Sequence, residues 1–354
     1  MFYREVGQFK TTYLADQALF PILQDRVFVA LWLAVAYLLV PLTASDYLCG
    51  AILVPFLVLS LAALGLNLLT GYCGQLSLGS GGFMAIGAYA AYNLYLRVPG
   101  LNAVAAILLS GVFATLVGVL VGIPSLRIKG FYLAVATLAA QFFIDWMFAR
   151  VKWFTNYIPS GSLTAPPLTL FGYTLSSPQQ KYLLCLAIVT VFALLAKNLV
   201  RSRIGRSWMA TRDMDVAAEI IGIRPLTAKL SAFAMSSYLI GVAGALWAFV
   251  HLGSWEPLAF DINRSFQILF MIIIGGLGSI LGCFLGAAFI TMLPLFLNRL
   301  PGWFGAQWTT ATVSNVEAMV FGVLIVFFLA VEPHGLARLW QIGKEKLRLW
   351  PFPH

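Results

Sequence analysis

Few side chains in this chain are of a type and spacing that could carry catalysis. His251, His334 and His354 lie far apart, and none has a second ligand three or four residues away, so no zinc site is expected. Cys49, Cys73, Cys185 and Cys283 sit singly in apolar stretches without CxxC spacing and read as small buried hydrophobes. There is no GxxxxGKS/T to cradle a phosphate, no HExxH and no GxSxG. Gly276-Leu277-Gly278 lacks the third glycine of a dinucleotide fingerprint. What remains is Asp145 and Glu317, both toward the outer ends of apolar segments, where an ion pair or a headgroup contact is the expected role. Uncharged polar groups are commoner: Asn67, Thr70, Gln75, Ser77, Ser80, Thr137 and Gln141. Two roles stay open for them, hydrogen bonding between helices and lining a path for a polar solute. Proton-coupled transport would call for acids or histidines near the bilayer middle, which these are not.

The elements that must position these groups follow from composition. Of 354 residues, 61% are hydrophobic and 10% charged. A soluble domain has about 25% charged residues, so this chain cannot coat a globule of its size with polar surface. It reads as an all-α polytopic membrane protein with about 8–10 transmembrane helices. Apolar spans are expected near 27–44, 48–70, 81–97, 102–123, 131–148, 181–199, 229–251 and 315–331. The stretch 264–298 is too long for one crossing. Its Gly275-Gly276-Leu277-Gly278-Ser279 run predicts a break into 264–274 and 279–298. Gly278, Gly282 and Gly286 form overlapping GxxxG repeats, so close helix packing or a hinge is expected there. The run 71–82 (GYCGQLSLGSGG) is too rich in Gly and Ser for a simple span and predicts irregular backbone at membrane depth.

The net charge of +9 need not mean nucleic acid, because basic loops also set topology, and no nucleic-acid partner is expected. With a cytoplasmic N-terminus, 16 of the 22 Lys and Arg fall inside. Both termini are then cytoplasmic, and the break near Gly275 is required for that count. Residues 1–26 read as a cytoplasmic or interfacial segment without a cleavable signal peptide, 27–332 as the transmembrane domain, and 333–354 as a basic amphipathic tail along the inner lipid surface.

Loop 200–228 is the longest inner loop and the most charged part of the chain. A helix over about 213–221 is expected, with Asp213 and Asp215 at its positive end and Gly222 stopping it. Its Ala217-Ala218-Glu219 centre is either a solvated face or a small-surfaced knob for a groove on another protein, with Arg206, Arg212 and Arg224 as rim charges.

The run AAExxGI, preceded by Arg201 to Arg206 and Arg212-Asp213, resembles the cytoplasmic coupling loop of bacterial ABC importer permeases for branched-chain amino acids. LNLLTGY (66–72) with GQLSLG (74–79), FMAIGAY (83–89), LRIKGFYLAVATLA (126–139) and GGLGSILGCFLG (275–286) resemble that family in the same order. Ser80 departs from it, since members often carry His there. The length and the extra N-terminal segment resemble the larger, M-type subunit. The resemblance implies an importer permease fold in the bacterial inner membrane. It implies a heterodimer with an H-type permease, two cytoplasmic ATPase subunits and a periplasmic substrate-binding protein. ATP and Mg would be bound by the partner subunits, with no cofactor and no enzyme activity in this chain. Arg206, Arg212, Asp213, Ala217, Ala218, Glu219 and Gly222 would couple to an ATPase. Asn67, Gln75, Ser77, Ser80, Thr137 and Gln141 would line the path, and Gly275, Gly276, Gly278, Gly282 and Gly286 would serve packing or hinge motion. Branched-chain or other hydrophobic amino acids are the implied substrates. Urea, an amide or an aromatic carboxylate is the alternative, and an ion-coupled carrier is a further one.

Overall fold

Long apolar runs leave the backbone no option but internal hydrogen bonding, so the chain folds as helices. The computed structural model describes residues 11–12, 23–125, 132–158, 161–170, 173–303, 310–331 and 335–349. Arg4, Lys10, Arg127, Lys129 and the end of the tail from Trp350 onward lie outside these, as do most of residues 1–26. Among the described residues, 8 helices are long and apolar enough to cross a membrane.

In chain order the helices are α1 (Asp25–Thr43), α2 (Leu48–Tyr72), α3 (Ser80–Arg97), α4 (Ala103–Ser125), α5 (Tyr132–Arg150) and α6 (Pro178–Arg201). Two short helices follow, α7 (Arg203–Asp213) and α8 (Asp215–Ile220). The rest are α9 (Pro225–Leu252), α10 (Ile262–Gly275), α11 (Ile280–Trp303), α12 (Thr310–Val331) and α13 (Gly335–Leu349). The expected spans each correspond to one of these, and the chain does break between Gly275 and Ile280. Glu317 falls in α12, its side chain outside the description. The fold is all-α as expected, with two small antiparallel ribbons in its loops. Leu163–Thr164 pairs with Ser254–Trp255, and Thr169–Leu170 with Tyr173–Thr174.

The core is α9 packed against α2, α3 and α4. Small residues permit it: a Cβ on Gly87 would collide with the backbone of Gly241, and one on Gly65 would lie 2.9 Å from Ile240. In lipid such close approach, not exclusion from water, holds helices together. The four cysteines are free and buried within this packing.

Two irregular stretches interrupt it. After the π-helical turn Leu68–Tyr72, residues 74–79 are non-helical, with Gln75, Ser77 and Gly79 buried, and α3 restarts at Ser80. The second is 276–279, where Gly276 and Gly278 have φ of +114 and +75. A side chain at either would strain the turn.

Candidate functional site

The loop after α6 is mounted rigidly on the membrane helices. Ser202 caps α7 through the Ile204 N–H, and Trp208, fully buried, donates from Nε1 to Ser231 Oγ of α9 at 2.9 Å. Met214 is extended (φ −160, ψ 100) and separates α7 from α8. The expected single helix over 213–221 is therefore shorter. Asp213 ends α7 and pairs with Arg212 (Nη2 to Oδ1 2.8 Å), while Asp215 opens α8 and holds Lys229 of α9 at 2.6 Å. The local reason is that Asp215, at the first turn, meets both the helix dipole and a cation. Gly222, at φ +89, closes α8, its N–H bonded to Glu219 O.

The surface this presents is apolar, not the expected pair of alanines. Ala218 is buried against the mount, whereas Ala217 and Glu219 are exposed. Around them Met214 and Val216 are each 66% exposed, Ile220 81% and Ile221 72%. Arg206 and Arg224 are exposed at its edges, Arg206 also donating to Arg201 O at 3.0 Å. The Ile220-Ile221 pair beside a stop glycine, in a charged loop, was a signal available in the sequence. An exposed aliphatic knob rimmed by charges is built to be covered by another surface.

Arg212 carries the loop's contact inward. Its Nη1 donates to Gly71 O at 2.8 Å, and a Cβ on Gly74 would come within 2.7 Å of its Cγ. Gly71 in turn has no room for a side chain, because Asn67 Oδ1 and the Gly278 N–H occupy it. Asn67 then spans to the second irregular stretch: Oδ1 accepts from the Gly278 N–H at 2.9 Å, and Nδ2 donates to Ser279 O at 3.0 Å. Beyond it Gly275, Gly282 and Gly286 pack backbone against backbone, a Cβ on Gly282 reaching Gly275 O at 2.6 Å. Arg212 of the loop after α6, the end of α2 and the α10–α11 break thus form one contiguous contact.

The remaining polar residues gather elsewhere, halfway along α5. Thr137 Oγ1 accepts from the Leu78 N–H at 2.9 Å. Gln141 Oε1 accepts from the Gly82 N–H and from Ser265 Oγ at 3.1 Å, and Ser265 Oγ accepts from the Gly81 N–H at 2.7 Å. These side chains satisfy buried N–H groups at and just before the start of α3. Gln141 Nε2 donates to Phe260 O at 2.9 Å and to Asp145. Asp145 thus accepts from an amide, and no ion pair to it occurs among the described residues. Ser77 lies beside this junction, near the Gly79 N–H. Ser80 Oγ and Gln75 Oε1 are buried with no partner among the described residues. So the structure separates Asn67 from Ser77, Ser80, Thr137 and Gln141, and adds Ser265 and Phe260, which sequence spacing does not connect to them. No cluster of metal-ligating side chains occurs among the described residues.

The family described as "Branched-chain amino acid transport system / permease component" matches residues 48–329, which hold both clusters. The chain belongs to this family. This permease is 30% identical over 296 residues to LivM, the "High-affinity branched-chain amino acid transport system permease protein", of Escherichia coli (strain K12) and of Salmonella typhimurium. Each match covers 77% of this chain and 66% of the relative, so the chain spans just under two thirds of those proteins' length. It is also 30% identical over 217 residues to the "Autoinducer 2 import system permease protein LsrC" of Yersinia enterocolitica, covering 57% of each chain. No solved structure matches it.

Proposed function

We propose that this permease forms half of the translocation pathway of an ATP-driven importer for branched-chain or other hydrophobic amino acids. The observation that carries this reading is the exposed aliphatic knob Met214–Ile221, mounted by Trp208, Asp215 and Arg212 on the membrane helices. A cytoplasmic ATPase subunit covers the knob. Its movement passes through Arg212 and Gly71 to Asn67 and the break at Gly276–Ser279. A homologous H-type permease supplies the other half of the path, and a periplasmic binding protein delivers the solute. ATP and Mg belong to the ATPase subunits, and this chain carries no hydrolytic residue.

Membership of the family and the charge excess on the side of loop 200–228 support a bacterial inner membrane setting with both termini cytoplasmic. Of the residues named for the path, Ser80 and Gln75 have buried oxygens without a partner among the described residues and keep polar capacity for a passing solute. A second reading, another small polar solute, rests on the likeness to the autoinducer 2 permease.

Vesicles reconstituted with the complete complex test the proposal. Uptake of labelled leucine that needs ATP, the ATPase subunits and the binding protein supports it. Uptake by this chain alone, driven by an ion gradient, overturns it. Uptake of a different solute under the same requirements moves the substrate and leaves the mechanism.

A further inference from the structure

The family match ends at residue 329, and the amphipathic helix α13 (Gly335–Leu349) lies beyond it. Its first residue is seated on the glycine break. Gly335 has φ +63, and a Cβ there would come within 2.6 Å of Gly276 N. Gly335 and Ala337 are buried, and α13 packs along α10 and α11. Further along, Lys344 Nζ lies 3.4 Å from Asp25 Oδ1.

These two ends fix the depth of the helix. Asp25 is the first residue of the first apolar span. Only residues 332–334 separate α13 from the end of α12 at Val331, so its start is at most roughly 14 Å from that end. A helix held at both places runs along the membrane boundary, on the side where Arg212 and Asn67 meet the same break.

Its free surface matches such a boundary. Leu336, Leu339 and Trp340 recur at helical spacing, and Leu339 and Trp340 are each about half exposed. Arg338 and Lys346 are exposed, and the helix carries Arg338, Lys344, Lys346 and Arg348 against Glu345 alone. Apolar and aromatic groups beside the exposed cations Arg338 and Lys346 suit the interfacial layer of a bilayer with anionic headgroups.

We propose that α13 is a lipid-reading clamp: Leu339 and Trp340 enter the interfacial layer, Arg338 and Lys346 bind anionic lipid headgroups, and the bound helix holds the Gly276 corner in place through Gly335. This goes beyond the permease reading and does not depend on the solute carried or on the ATPase.

Hydrogen–deuterium exchange on the full chain in nanodiscs tests it, comparing purely zwitterionic lipid with lipid containing about one third phosphatidylglycerol. Anionic lipid is expected to slow exchange about tenfold or more in residues 336–349 and also in 274–280. The double variant Arg338→Gln/Lys346→Gln changes only exposed side chains. It is expected to remove the lipid dependence while the rest of the chain exchanges as before. Equal exchange in the two lipids overturns lipid recognition. Slowing confined to 336–349, with 274–280 unchanged, overturns the clamp. Lipid dependence that survives in the double variant overturns the assignment to these two cations.

Discussion

Arg212 Nη1 donates to the carbonyl of Gly71 at 2.8 Å, joining the charged loop after α6 to the last turn of α2 across 141 residues of sequence. A hydrogen bond from a charged donor contributes about 1.5–3 kcal/mol. It also fixes position, because Gly74 lies beneath the same side chain. Arg212→Ala is expected to leave the complex assembled and to lower ATP-driven uptake about tenfold. Uptake and ATPase rate, measured on the same vesicles, check this.

The same contact is legible through a thiol. Cys73 lies next to Gly74, is 2% exposed, and burial pushes its thiol up to about 12. It therefore stays a protonated, shielded thiol at neutral pH and labels slowly with maleimide. In Arg212→Ala the Gly74 side of the turn is uncovered, and labelling of Cys73, located by peptide mass mapping, is expected to accelerate. Unchanged labelling would show that Arg212 does not cover the turn.

Asn67 holds the α10–α11 break by two bonds, so Asn67→Ala leaves the Gly278 N–H and the Ser279 carbonyl without it. Both groups are part-buried and Ser279 O keeps the Cys283 N–H, so the loss is about 1–3 kcal/mol in all, chiefly at Gly278. A clearly lower midpoint of thermal denaturation in detergent is expected. Gly71→Ala is expected to be worse, since its Cβ would overlap Asn67 Oδ1 and Gly278 N.

Gln141 is expected to govern stability more than any other predicted path residue. Gln141→Leu keeps the bulk but strips the Gly82 N–H, Ser265 Oγ and Phe260 O of a partner. By the same scale the loss is roughly 3 kcal/mol or more. Expression level and thermal midpoint measure it. A normal midpoint with altered uptake would make Gln141 a solute contact instead of a support for α3.

Much of this architecture could be read from the residues. Apolar length set the spans, and the Gly275–Ser279 run marked a break because only glycine tolerates such turns. The helix end near Gly222 followed from its stop glycine. The partners did not follow. Nothing in the spacing joins Gln141 to Gly82 and Phe260, or Asn67 to Gly278, because such bonds depend on which helices become neighbours. The loop helix is one turn shorter than its sequence predicts, with Met214 extended and Asp215 braced on Lys229. Ala218, expected at the surface, is buried.

The central claim, that force enters this permease through its exposed aliphatic knob, is tested most directly at Ile220. The side chain is 81% exposed, so Ile220→Asp is expected to change folding by less than about 0.5 kcal/mol. In the reconstituted complex, solute-stimulated ATP hydrolysis and uptake are both expected to fall at least about tenfold, as burial of an unpaired carboxylate in an apolar contact requires. Wild-type hydrolysis and uptake with Ile220→Asp in place would contradict the account.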